Sequence, residues 1–96
     1  MTGPAITRDA VLTLRKSDRG RMAMGGTVSY EVYFDGRWIG WVGDDREGYG
    51  MRPPRRWWAC WREDGDQAAR WNGVGYRTRA AAVDALTARV GEGRRS

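Results

Sequence analysis

The sequence predicts an α+β domain in which an antiparallel sheet of three to five strands packs against one C-terminal helix. Two observations predict the sheet. Asp35-Gly36 lies between two segments rich in aromatic and β-branched residues, and so does Asp64-Gly65. The Asp-Gly pair favours tight hairpins, since a type I′ turn needs positive φ at both central positions. A third observation predicts the helix: Thr78 is followed by an alanine-rich amphipathic segment.

These patterns divide the chain into one domain and two short tails. We expect residues 1–9 and 91–96 to be flexible, and residues 10–90 to form a single domain. Residues 10–15 are a short apolar segment and a candidate first strand. Residues 17–26 are polar and glycine-rich, which predicts a loop.

The first hairpin is predicted to join residues 27–34 to residues 37–42 through a two-residue turn, which fixes the register. The expected cross-strand pairs are Phe34–Arg37, Tyr33–Trp38, Val32–Ile39 and Tyr30–Trp41. The residues expected on the core face are Val28, Tyr30, Val32, Phe34, Ile39 and Trp41. The residues expected on the other face are Ser29, Glu31, Tyr33, Trp38 and Val42.

The second hairpin follows a loop over residues 44–54, whose end is basic and stiffened by Pro53-Pro54. Its strands are predicted at residues 55–62 and 70–76, with Asp64-Gly65 starting the turn. One face of the first of these strands is expected to lie in the core, and the other is bracketed by arginines and expected to contact solvent. The core residues are Trp57, Ala59 and Trp61, and the solvent-facing residues are Arg56, Trp58, Cys60 and Arg62.

The helix is predicted over residues 79–90, with Thr78 as its N-cap and Gly91 just past its end. Val83, Leu86 and Val90 recur at helical spacing and form one apolar stripe. We expect this stripe to pack on the core face of the first hairpin.

Composition excludes several function classes. The chain has no histidine and a single cysteine, Cys60, and it lacks a glycine-rich phosphate loop, so we expect no enzymatic activity, no metal and no cofactor. No apolar segment approaches the roughly 20 residues that a membrane span needs. We expect no signal peptide, because the N-terminal residues contain no apolar h-region. We expect a cytoplasmic protein, because a single cysteine cannot form an internal disulfide and fits a reducing compartment.

Charge points to an anionic partner. The net charge is +5 and Lys16 is the only lysine. Codon bias in a GC-rich genome explains the preference for arginine over lysine, but it does not explain the excess of positive charge. That excess favours an anionic partner, most simply nucleic acid.

Arginine alternates with tryptophan on the predicted strands, and two arginines flank the helix cap Thr78. Such residues can bind phosphates and stack on bases. The competing explanation is that the tryptophans form the core and the arginines keep the sheet edges soluble. The candidate nucleic-acid-binding residues are Arg37, Trp38, Arg52, Arg55, Arg56, Trp58, Arg62, Arg77 and Arg79.

The C-terminal half carries a recognisable order of motifs over residues 55–90. They are Trp57-x-Ala59, Trp71 with Gly73, Tyr76-x-Thr78 and Ala82-Val83-x-x-Leu86. This order resembles the plant AP2 and phage-integrase arm-type DNA-binding domains. The resemblance implies a three-stranded antiparallel sheet, backed by one helix, that reads the DNA major groove through Arg56, Trp58 and Arg62. The whole chain also resembles short proteins of actinobacteria and their phages.

Two functions are therefore expected from the sequence. The first is a small basic DNA-binding module, regulatory or phage-encoded, with duplex DNA as its partner. The alternative is a protein-interaction module that uses exposed tryptophan and arginine to bind an acidic surface and modulate a host or partner protein. A homodimer formed through a sheet edge or the aromatic face is expected in either case.

Overall fold

A computed structural model describes residues 12–45 and 55–95 of the chain. The described residues form a five-stranded antiparallel sheet, a short helix after the first strand and a long C-terminal helix. The elements are β1 (Leu12–Lys16), α1 (Asp18–Met24), β2 (Ser29–Phe34), β3 (Arg37–Asp45), β4 (Arg56–Trp61), β5 (Trp71–Tyr76) and α2 (Arg79–Arg95). The α+β class and the C-terminal helix predicted from the sequence are confirmed.

The sheet is a simple meander with the strand order β1-β2-β3-β4-β5. The strand predicted over residues 10–15 is β1, seen from Leu12 onward; residues 10 and 11 lie outside the described residues, as does the predicted tail at residues 1–9. The loop expected over residues 44–54 begins later than predicted, because β3 continues through Asp45. Its remainder also lies outside the described residues.

A β-bulge shifts the register of the first hairpin. The Asp35-Gly36 turn has positive φ at both residues, and the pairs Phe34–Arg37 and Tyr33–Trp38 form as predicted. The ladder then slips between Val32 and Tyr33, so that Val32 lies opposite Gly40 and Ile39 is the extra residue.

The bulge makes the predicted Val32–Ile39 and Tyr30–Trp41 pairs wrong. Beyond it Val42 lies opposite Tyr30, and Trp41 lies opposite Glu31. Because side chains alternate along a strand, one extra residue exchanges the faces of Trp41 and Val42. Val42 therefore joins the core under α2, and Trp41 lies on the other face of the sheet.

The main core lies between the sheet and α2. Thr78 caps the helix as predicted, because its Oγ1 accepts a hydrogen bond from the backbone N–H of Ala81 at 3.0 Å. The predicted helix stripe is buried in this core. Its buried members are Val32, Ile39, Val42, Trp57, Ala59, Trp61, Ala82, Val83, Leu86 and Val90.

Helix α2 continues to Arg95, past the end predicted at Val90. Gly91 remains helical and does not end the helix. The last turn packs against the ring of Trp61, where a Cβ on Gly93 would lie 2.4 Å from Trp61 Cη2. This close approach adds tertiary contacts that the local sequence does not reveal, and the helix therefore includes residues 91–95 of the segment predicted as a tail.

The loop predicted over residues 17–26 is wrong for its central part, which forms α1. Ser17 caps this helix by accepting a hydrogen bond from the backbone N–H of Arg19. Gly20 is buried, and a Cβ there would lie 2.8 Å from Trp41 Cγ. A seven-residue helix is marginal by propensity alone. The contact with Trp41 therefore explains why this polar segment is helical.

A tryptophan cluster occupies the face of the sheet beside α1. It consists of Trp38, Trp41, Trp58 and Cys60, with Met24 and Tyr33 packed against it. Trp58 is 2 % exposed and Trp38 is 8 % exposed. The expectation that the face of Trp58 and Cys60 contacts solvent is therefore wrong. The Trp58 ring lies over Gly43, which has no side chain to hold it away from the sheet.

Candidate functional site

The antiparallel register brings four predicted arginines to one end of the sheet. Arg55 and Arg56 lie at the start of β4, opposite the end of β3, where Asp45 pairs with Arg56. Trp57 pairs with Tyr76, so Arg77 follows directly beside them, and Arg79 begins α2. We call this surface the basic end, defined by Arg55, Arg56, Arg77 and Arg79.

Aromatic rings support two of these arginines. The Arg55 guanidinium lies 4.9 Å from the centroid of the Trp57 ring, and the Arg79 guanidinium lies 4.8 Å from that of Tyr30. Such contacts contribute about 0.5–1 kcal/mol at exposed sites and hold the charged group near a fixed position. Arg55, Arg77 and Arg79 are exposed, while Arg56 is partly buried.

Among the described side chains, Arg56, Arg77 and Arg79 form no ion pair, and Arg55 contacts Asp44 at 3.8 Å. Arg56 donates a hydrogen bond to the backbone carbonyl of Arg55 at 3.2 Å, which leaves its charge without an acidic partner among these residues. Arg77 and Arg79 also flank the N-terminus of α2, where positive charge opposes the helix dipole at a cost of about 0.3–1 kcal/mol. A bound anion would relieve this repulsion.

The buried carboxylate of Asp44 connects the chain segments at the basic end. Asp44 is fully buried, and its Oδ1 accepts hydrogen bonds from the backbone N–H groups of Thr27 at 2.7 Å and Val28 at 2.8 Å. Its Oδ2 accepts a hydrogen bond from the Thr27 hydroxyl, and its backbone carbonyl accepts one from Trp58 Nε1. Asp44 thereby ties the start of β2 to the strand ends that carry Arg55.

The opposite end of the sheet balances its charges internally. Glu63 contacts Arg37 at 3.4 Å and Arg70 at 3.5 Å, while Arg62 donates to the backbone carbonyl of Asp66. The hydrogen bond from Arg70 lowers the pKa of the Asp66 carboxyl. Arg37 and Arg62 therefore lie away from the basic end and already have partners.

Trp38 and Trp58, the two tryptophans predicted to stack on bases, are buried in the tryptophan cluster. Trp58 donates its indole N–H to the carbonyl of Asp44, whereas the N–H groups of Trp38 and Trp41 have no partner among the described residues. A groove of about 500 Å³ runs past Trp38 and Trp41 and is bordered by Arg19 and Arg62. Neither the Trp38 ring nor the Trp58 ring has an open face on which a base could stack.

The remaining sequence candidates are readily placed. Arg52, with the rest of the loop 50–54, lies outside the described residues. Cys60 is buried, and burial raises the pKa of its thiol, which disfavours the nucleophilic thiolate. Among the described residues no group of three or more histidine, cysteine or acidic side chains could hold a metal ion.

Asp44 is the residue of the candidate site that sequence reasoning missed. In the sequence it is one of two adjacent acids before a charged loop, which indicates a solvated turn. Only the pairing of β3 with its neighbours shows that its carboxylate is enclosed. Thr27 is a local indication of a nearby acceptor, because its hydroxyl and its backbone N–H both need one at the start of a strand. The sequence does not show that Asp44 is this acceptor.

Comparisons with known proteins identified no relative of this chain. Neither the protein-family models nor the curated proteins nor the solved structures gave a match. In the described part of the chain, neither helix combines the length and the apolar character that crossing a membrane requires.

Proposed function

We propose that this protein binds duplex DNA through its basic end. The observation that carries the proposal is the convergence of Arg55, Arg56, Arg77 and Arg79, which are far apart in sequence, on one end of the sheet. Arginine suits this task because its planar guanidinium donates two parallel hydrogen bonds to a phosphate. Their spread over two strands and a helix start suits a backbone contact along a duplex.

The proposed mode differs from the one that the AP2 resemblance implies. A sheet that reads the groove would use Arg56, Trp58 and Arg62 on an open face. Trp58 is buried and Arg62 is bound to the carbonyl of Asp66, so we assign the contact to the end of the sheet. Contacts of arginine with phosphates position a protein on DNA and carry no sequence information directly. The proposed binding is therefore tolerant of sequence.

We propose that the protein acts in the cytoplasm, where nucleic acid is accessible. Cys60 is a free, buried thiol, which is compatible with a reducing compartment. The alternative function, binding of a partner protein through exposed tryptophan, has less support, because Trp38 lies inside the tryptophan cluster.

A charge-matched pair of variants tests the proposal. The Arg56→Gln/Arg77→Gln variant should bind a 20-base-pair duplex roughly two orders of magnitude more weakly at 50 mM salt. Each lost phosphate contact removes a counterion-release contribution of about tenfold at that salt concentration. The control, Arg37→Gln/Arg89→Gln, removes the same charge at the opposite end of the molecule and should change the affinity less than about threefold.

Fluorescence anisotropy with a labelled duplex measures both affinities. Equal weakening by the two double variants would show that net charge alone drives binding, and would contradict a site at the basic end. If the wild-type protein forms no complex at micromolar concentration in 50 mM salt, the DNA proposal fails and the protein-interaction function takes its place.

A further inference from the structure

Strand β1 forms one edge of the sheet. It is the first strand of the order β1-β2-β3-β4-β5, and within the described residues it pairs with β2 alone. All five residues of Leu12–Lys16 are exposed. An exposed edge presents a row of unpaired backbone groups to any extended chain.

The register shows which backbone groups face outward. The backbone N–H of Ser17 donates to the carbonyl of Ser29, so these opposed residues form a hydrogen-bonded pair. In an antiparallel ladder such pairs alternate with pairs that do not bond to each other. The N–H and C=O groups of Leu12, Leu14 and Lys16 therefore point away from β2, toward the open edge.

Leu12 and Leu14 form an exposed apolar surface beside this edge, which we call the apolar shelf. Leu12 is 42 % exposed and Leu14 is 36 % exposed, and they stand opposite Phe34 and Val32 on the face that carries α2. Helix α2 packs on β3, β4 and β5, so it does not cover β1. Phe34 next to them is only partly buried. The side chains of an added strand could pack on this shelf.

Charge indicates which strand would bind. Arg15 and Lys16 form no ion pair with a described side chain. Glu31, opposite Arg15, already accepts hydrogen bonds from Arg19 at 3.2 Å and from the Tyr33 hydroxyl at 2.9 Å. A second copy of β1 would add the same two cations and, within Leu12–Lys16, no carboxylate. An acidic side chain on the face of Arg15 would instead neutralise that charge.

We propose that β1 binds an extended peptide segment of a partner protein, in which apolar residues alternate with acidic ones, as an added sixth strand. The peptide backbone would pair with the outward groups of Leu12, Leu14 and Lys16. Its apolar side chains would pack on Leu12 and Leu14 on the face that carries α2, and its acidic side chains would meet Arg15 on the opposite face. This site is separate from the basic end.

A labelled synthetic peptide of eight alternating valine and glutamate residues is the probe, and a valine–lysine peptide is its control. We expect the wild-type protein to bind the glutamate peptide at least tenfold more tightly than the lysine peptide. Arg15→Glu should weaken glutamate-peptide binding at least tenfold and leave duplex DNA binding within about threefold. Arg77→Glu, the same charge change at the basic end, should do the reverse.

Leu14→Pro tests the backbone contact, because it removes an outward N–H without breaking a bond to β2. We expect it to abolish peptide binding, with circular dichroism confirming the fold. If this variant unfolds, Arg15→Glu still decides. Equal binding of both peptides, or full binding by Arg15→Glu, overturns the proposal. Light scattering that shows a dimer that the peptide does not dissociate also overturns it, because a second copy would then occupy β1.

Discussion

Gly40→Ala should lower the free energy of unfolding by about 4 kcal/mol or more, a size reached only by severe core defects. Gly40 sits at the bulge of β3 with φ +129, and a Cβ there would lie 1.9 Å from the backbone carbonyl oxygen of Cys60. Backbone cannot move aside without separating β3 from β4. The pairing of Gly40 with Trp61 would therefore be lost.

Gly36→Ala is the matched control for this substitution. Gly36 also has positive φ, at +78, but nothing lies within 4 Å of the added carbon. Its cost should be about 1–2 kcal/mol, that of placing a side chain in the left-handed region. Urea denaturation followed by tryptophan fluorescence measures both variants. Unfolding free energies within 1 kcal/mol of each other would contradict the bulge at Ile39.

Asp44→Ala should lower the free energy of unfolding by on the order of 3 kcal/mol. It removes the acceptor of two backbone N–H groups and of the Thr27 hydroxyl, and each unsatisfied buried donor costs about 1–3 kcal/mol. The start of β2 would lose its connection to β3. Because Arg55 also contacts this carboxylate, the variant should in addition loosen the basic end.

Asp84→Ala provides the comparison for Asp44, because Asp84 is an exposed aspartate on α2. Surface substitutions of this kind change stability by less than about 0.5 kcal/mol. Chemical denaturation of both variants under the same conditions gives the difference. A loss below 1 kcal/mol for Asp44→Ala would show that water replaces the carboxylate as acceptor, and that Asp44 does not organise this end of the sheet.

Local chemistry explains what the sequence predicted correctly. Asp35-Gly36 adopts the turn that its φ requirements favour, and Thr78 caps the helix through its own hydroxyl. The apolar stripe of α2 follows from helical periodicity alone. These features depend on residues close in sequence, so the pattern alone was enough to predict them.

The features that the sequence did not predict depend on tertiary contacts. The bulge at Ile39 needs a glycine that approaches the Cys60 carbonyl, and nothing in the local pattern distinguishes Gly40 from an ordinary strand glycine. Helix α1 depends on the fit of Gly20 against Trp41. These two contacts together put Trp41 on the unpredicted face and enclose the tryptophan cluster.

The candidate site could be predicted in part. The sequence identified arginines beside strand tryptophans and at the helix start, and the register brings Arg55, Arg56, Arg77 and Arg79 together. It could not separate them from Arg37, because the ion pair of Arg37 with Glu63 joins distant segments. Burial of Trp58 likewise depends on Gly43, a neighbour on the adjacent strand.

The salt dependence of DNA binding tests the central claim most directly. The affinity of the wild-type protein for a duplex, measured between 50 and 200 mM salt, should fall roughly two orders of magnitude. Four neutralised phosphates give a slope of log K against log salt of about −3.6. Replacing Arg55, Arg56, Arg77 and Arg79 with glutamine should bring this slope close to zero. A slope that stays the same in the quadruple variant would contradict the basic end as the binding site.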